Sequence, residues 1–164
     1  MKIDSIEKLF LEELKDLYSA EHQITKALPK MAKSANSEEL RSAFESHLKE
    51  THEQIQRLEK IFSLLDKSPR GKTCEGMKGI LQEGSELLGD AVQGPVRDAG
   101  MISAAQRVEH YEMAAYGAVR TYAELLGKDE IARLLEETLE EEKAADEKLT
   151  EVARHVNVQA PRAA

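Results

Sequence analysis

Residues 108–116 read Val108-Glu109-His110-Tyr111-Glu112-Met113-Ala114-Ala115-Tyr116. In a helix, residues three and four apart share a face. Extended in both directions at that spacing, Ile102, Ala105, Glu109, Glu112, Tyr116, Val119, Ala123 and Leu126 form one unbroken stripe. Most of its members are apolar, so the stripe is expected to be the buried one. Its middle nevertheless carries two carboxylates and a phenol. Burying a carboxylate without a partner costs several kcal/mol, so such groups normally find a cation or become neutral.

The other helices repeat this conflict. Helix one is expected to start at Asp4, with Glu7 three residues on in the manner of a capping box. Its stripe reads Ile6, Phe10, Leu14 (or Glu13), Leu17, Glu21, Ile24, Leu28 and Met31, with a glutamate at mid-stripe. Pro29 is expected to kink the last turns, because the apolar spacing continues past it. Ala35-Asn36-Ser37 is a short break, and Ser37 is a suitable N-cap for helix two. Helix two carries Phe44, Leu48, Thr51, Ile55, Leu58, Phe62 and Leu65. His47, Glu50 and Gln54 share one flank of that stripe, whereas His52 and Glu53 fall further away.

Residues 67–76 read as a loop, residues 77–88 as a short helix, and residues 89–100 as turn-like around Gly94-Pro95. Long helix three is expected from about Met101 to Leu126. Gly127 ends it, and Asp129 can cap helix four. Helix four carries Leu135, Leu139 (or Thr138), Glu142, Ala145/Asp146, Leu149 and Ala153. The expected domain is residues 1–156, with residues 157–164 as a tail. The short links make two antiparallel helical hairpins, joined by a long crossover that contains the short extra helix. This all-α plan is the connectivity of a ferritin-like four-helix bundle.

Composition narrows the function. The 164 residues carry a net charge of −8, which disfavours nucleic acid and acidic membrane surfaces as partners. One cysteine, Cys74, rules out an internal disulfide framework and a multi-cysteine metal site. Cys74 reads first as a small apolar anchor for the crossover. With no signal-peptide core or spanning segment in view, a cytoplasmic location is expected.

Carboxylates converging in a helical core make sense around two divalent metals, because their oxygens can bridge cations such as iron or manganese. The expected metal-binding residues are Glu21, Glu50, Glu109, Glu112, Glu142 and Asp146. His47, Glu53 and Gln54 remain alternatives for the second position on helix two, and Tyr116 is expected to hydrogen-bond a carboxylate. The usual bundle site has Glu-x-x-His on two of its helices. Here helix three offers Glu109-x-x-Glu112 instead, giving a carboxylate-rich, histidine-poor set.

Glu109-x-x-Glu112-x-x-x-Tyr116 resembles the third-helix motif of rubrerythrin-type proteins. Combined with Leu17-Tyr18-x-Ala20-Glu21, Lys72-x-Cys74-Glu75-x-Met77 and Leu139-x-Glu141-Glu142-Lys143-Ala144-Ala145-Asp146, it makes nearly the whole chain similar to the YciF/YciE-like family of bacterial stress proteins. The resemblance implies a ferritin-like bundle, usually dimeric, with a rubrerythrin-like dinuclear site of two iron ions (or manganese). Metal ions and a small oxidant such as peroxide or oxygen are the implied partners, with oxidase- or peroxidase-like activity left open. A non-catalytic helical homodimer with a binding or structural role in stress is the alternative, and iron storage in a closed shell is a third reading.

Overall fold

Helix ends in this chain are set by side chains that take up the amide hydrogens a helix leaves unbonded in its first turn. The structure, a computed structural model, describes residues 2–162. Among them are five α-helices and no strand: α1 (Ile6–Ser34), α2 (Glu38–Leu64), α3 (Glu75–Asp90), α4 (Pro95–Leu125) and α5 (Asp129–Val156). A single 3-10 turn, Asn157–Gln159, follows. Met1 and residues 163–164, at the two ends of the expected domain and tail, lie outside the described residues.

Several boundaries differ from the sequence-based expectation. Ser5, not Asp4, caps α1, its Oγ accepting from Lys8 N at 3.3 Å, while Asp4 pairs with the Lys8 ammonium at 2.6 Å. Helix α1 continues through Pro29 to Ser34. Ser37 caps α2 as expected. The long α4 begins at Pro95 rather than near Met101, because Pro95 occupies the first helical turn, where its missing N–H and fixed φ suit a helix start. Helix α3 starts at Glu75 instead of Met77 and is capped by Cys74. Gly127, at φ 65°, turns the chain after α4. Asp129 then opens α5 as its first residue, with Lys128 at the cap position.

Helix α1 packs on α2, α3 and α4, and α5 packs on α4 and α2. The interior has two apolar clusters. One contains Ile24, Leu28, Phe44, Met101, Ile102 and Leu149. The other contains Leu14, Leu17, Leu58, Phe62, Val119 and Leu135. Between them, at mid-length of each long helix, lies a buried polar level: Glu21 on α1, His47, Thr51 and Gln54 on α2, Glu109 and Glu112 on α4, Thr138 and Glu142 on α5.

Two long-range ties fix the helices against one another. Buried Asp98, near the start of α4, accepts from Asn36 N (Oδ1) and Ser37 N (Oδ2), both at 2.8 Å, and so fastens the α1–α2 link onto α4. At the crossover, Cys74 Sγ accepts from Met77 N at 3.3 Å and lies 3.0 Å from Tyr111 OH. Tyr111 in turn donates to Asp16 at 2.8 Å, and Lys72 lies 3.4 Å from the same carboxylate. Gly76 lets the Tyr111 ring approach, since a Cβ there would sit 2.9 Å from Cε2.

Replacing Asp98 strands two amides in a part-buried link. Asp98→Ala is therefore expected to lower stability by about 3 kcal/mol in urea denaturation, with Asp98→Asn losing roughly half as much. An unchanged midpoint for Asp98→Ala would contradict this account.

Candidate metal centre

Helical periodicity brings the polar level together. His47 on α2, Glu109 and Glu112 on α4 and Glu142 on α5 each offer a ligand atom, and these atoms all lie within 4.8 Å of one another. His47 Nε2 is 3.3 Å from Glu109 Oε1 and 3.8 Å from Glu142 Oε2. Glu21, fully buried on α1, lies beside the group, next to Glu112, and its carboxylate accepts from Tyr116 OH. Glu142 accepts from the Gln54 side-chain amide, which also donates to Glu141 at 3.0 Å. Arg57 grips Glu141 with two N–H donors, at 3.0 and 2.9 Å, and Thr138 with a third contact at 2.6 Å. The Arg57 guanidinium thus braces the rim, and the neutral Gln54 amide passes that support inward.

Each expected ligand has a definite place. Glu109, Glu112 and Glu142 lie in the four-residue group, Glu21 beside it. Glu50 is on the edge, with 42% of its side chain exposed and Oε2 3.5 Å from His47 Nδ1. Asp146 is half-buried and pairs with His110 Nδ1 at 3.3 Å. Of the helix-two alternatives, His47 is in the group, Gln54 supports it, and Glu53 is exposed. The roles of Arg57 and Gln54 go beyond the sequence reading. The Arg57 and Glu141 pairing crosses from α2 to α5, so no local spacing signals it.

Electrostatically the group is unbalanced. Burial pushes the Glu21 carboxyl up to about 8, with the charge on Glu142 adding to the effect. Burial also lifts Glu109 and Glu112 well above the carboxylate range, again reinforced by Glu142. Tyr116 is raised by burial and by Glu21. For His47, burial opposes the charge, but Glu50, Glu142 and Glu21 outweigh it and raise its pKa. Among the described residues, ten buried side-chain nitrogen and oxygen atoms lack a hydrogen-bond partner, and seven belong to Glu21, His47, Glu109, Glu112 and Glu142. Buried polar atoms are normally satisfied, so such a concentration of unsatisfied donors and acceptors suits an ion-binding site.

The donor set fits a metal. Opposed ligand atoms on one ion, at metal–ligand distances of about 2.1 Å, lie roughly 4 Å apart, close to the spread found here. Three carboxylates with one imidazole suit iron or manganese better than a thiolate-seeking metal. No helix among the described residues is long and apolar enough to cross a membrane.

Known proteins share this architecture. A family model described as a domain of unknown function, DUF892, matches residues 5–161. Protein YciF of Escherichia coli strain K12 is 46% identical over 154 residues, 93% of each chain. The crystal structure of that protein, described as a stress protein, superposes with a TM-score of 0.92 at 43% identity, covering 96% of this chain and all of the other. YcfI of Rhodopseudomonas palustris, described as a candidate structural protein, gives 0.88 at 45% identity, covering 91% and 95%. A Xanthomonas campestris protein gives 0.74 at 22% identity over 93% of each chain, a likeness of fold alone.

The buried carboxyls imply a pH dependence with a definite sign. Glu21 keeps its proton up to about pH 8 in the folded metal-free chain, whereas in the unfolded chain it ionises near pH 4.3. The folded state therefore holds more protons across that window, and stability falls as pH rises through it. Metal-free protein is expected to melt higher at pH 5 than at pH 8, and Glu21→Gln should flatten the slope. Equal slopes for the two proteins in calorimetry would contradict the assignment.

Proposed function

This chain belongs to the DUF892 family, and we propose that it is a ferritin-like stress protein that holds two divalent metal ions, iron or manganese, at its buried carboxylate level. The observation that carries this reading is the set of unpartnered oxygens and imidazole nitrogens, contributed by four helices to one buried site. Glu21, His47, Glu109, Glu112 and Glu142 would hold the ions, with Glu50 and Asp146 at the margin. Bound metal would supply redox and Lewis-acid chemistry towards peroxide or oxygen.

The protein's own residues supply the rest. Gln54 orients the Glu142 carboxylate, and Arg57 holds Glu141 so that Gln54 stays in place. Tyr116 donates to Glu21 and fixes which oxygen of that carboxylate remains free. The apolar clusters on either side lower the local dielectric, which strengthens charge interactions within the level. The stress role is carried over from YciF, and we extend the proposal to a homodimer.

A second reading draws on the description of YcfI: a non-catalytic helical dimer whose acids are neutralised by basic side chains. Among the described residues, however, no Lys or Arg makes an ion pair with Glu21, Glu109, Glu112 or Glu142; the base that reaches Glu109 and Glu142 is His47. Bordering the group, Arg57 gives its guanidinium to Glu141 and Glu137 instead.

Protein purified without chelators is expected to contain iron or manganese by elemental analysis. After stripping, Fe(II) or Mn(II) at a hundredfold excess over Kd should add about 2.7 kcal/mol of stability, seen as a rise in Tm. Glu112→Ala should remove that response, and peroxide consumption should follow metal content. Absence of metal together with no rise in Tm on adding either ion would leave the scaffold reading.

A further inference from the structure

A cavity of about 420 Å³ opens among α1, α2, α4 and α5, with Leu81 of α3 on its side. Its walls include Ile24, Leu28, Phe44, Val108 and Leu149, and its remaining lining is largely alanine and serine. Ionisable groups stand at two places only. Buried His47 and Glu109 line it where it meets the candidate metal centre, with Glu50 beside them. Exposed Glu39 and Lys148 line it towards solvent, 3.5 Å apart. Both nitrogens of His47 and Oε2 of Glu109 lack a hydrogen-bond partner.

This is more room than peroxide or oxygen requires. Apolar cavities of this volume with a few converging polar groups are the usual form of small-molecule sites. We propose that the cavity is a binding chamber for a neutral, largely hydrocarbon molecule, whose single hydroxyl or carbonyl group reaches His47 and Glu109. The walls would strip water from a charged head group, which disfavours an anion. Glu39 and Lys148 compensate each other, so the mouth adds no preference for either sign. A hydroxyl both gives and accepts hydrogen bonds, which matches the imidazole nitrogen and carboxyl oxygen that remain once His47 and Glu109 each give one atom to an ion. Its role as a substrate chamber rests on the metal reading, whereas binding itself does not.

The test uses the full-length protein with 1-octanol as probe and octanoate as its anionic counterpart, followed by titration calorimetry. Octanol is expected to bind saturably, and octanoate about tenfold more weakly. Ala27→Phe and Ala145→Phe fill the chamber from α1 and α5. Each should weaken octanol binding by about tenfold or more while the metal bound per chain stays unchanged. In Co(II)-loaded protein, octanol should shift the visible absorption bands. No saturable binding, unchanged affinity in both folded variants, equal binding of octanoate, or unmoved Co(II) bands with octanol bound would each overturn the proposal. Octanol binding that both variants abolish in a protein holding no metal would support the chamber and remove the metal reading. A metal-dependent rise in Tm without octanol binding would do the reverse.

Discussion

Carboxylates taken out of water require either a proton or positive charge nearby, and four of them meet at one level of this molecule. Glu21, Glu109, Glu112 and Glu142 are at most 2% exposed, and His47 is the ionisable base that shares their site. An apolar core at this level would have been simpler to stabilise, since burying charges rarely repays its desolvation cost. The apolar clusters above and below must therefore carry the fold.

That division organises the helices. Each long helix changes character near its midpoint: apolar, then polar for one or two turns, then apolar again. Register between helices must be held closely, because a slip of one turn would move an acid into a hydrocarbon layer. Asp98 provides one such lock, binding the α1–α2 link to α4. The bidentate Arg57 and Glu141 pair provides another, between α2 and α5. Both lie outside the group of possible ligands, so the alignment of the helices does not depend on an ion.

What could be read from the sequence follows from the range of each interaction. The α4 stripe from Ile102 to Ala123 is buried throughout, because a 3.6-residue period is a local property visible in any single helix. Glu21 and Glu142 stood out for the same reason. On α2 the flank of His47, Glu50 and Gln54 was legible, but not its division: His47 and Gln54 are buried while Glu50 reaches solvent. That split is decided by α4 and α5, which no α2 pattern encodes. The start of α4 was hidden because Gly94-Pro95 serves equally as a turn and as a helix entry, and the buried role of Asp98 was hidden with it. Arg57 and Thr138 depend on contacts spanning more than eighty residues of sequence.

The crossover anchor has a chemical corollary. Cys74 is fully buried, holds the first turn of α3, and touches a phenol whose proton is committed to Asp16. Burial pushes its pKa up, with nearby Asp16 acting in the same direction, so the sulfur keeps its hydrogen and is a poor nucleophile. Sulfenic acid formation needs an accessible thiolate. The chain's sole sulfhydryl is thereby withheld from oxidative damage and from crosslinking between molecules.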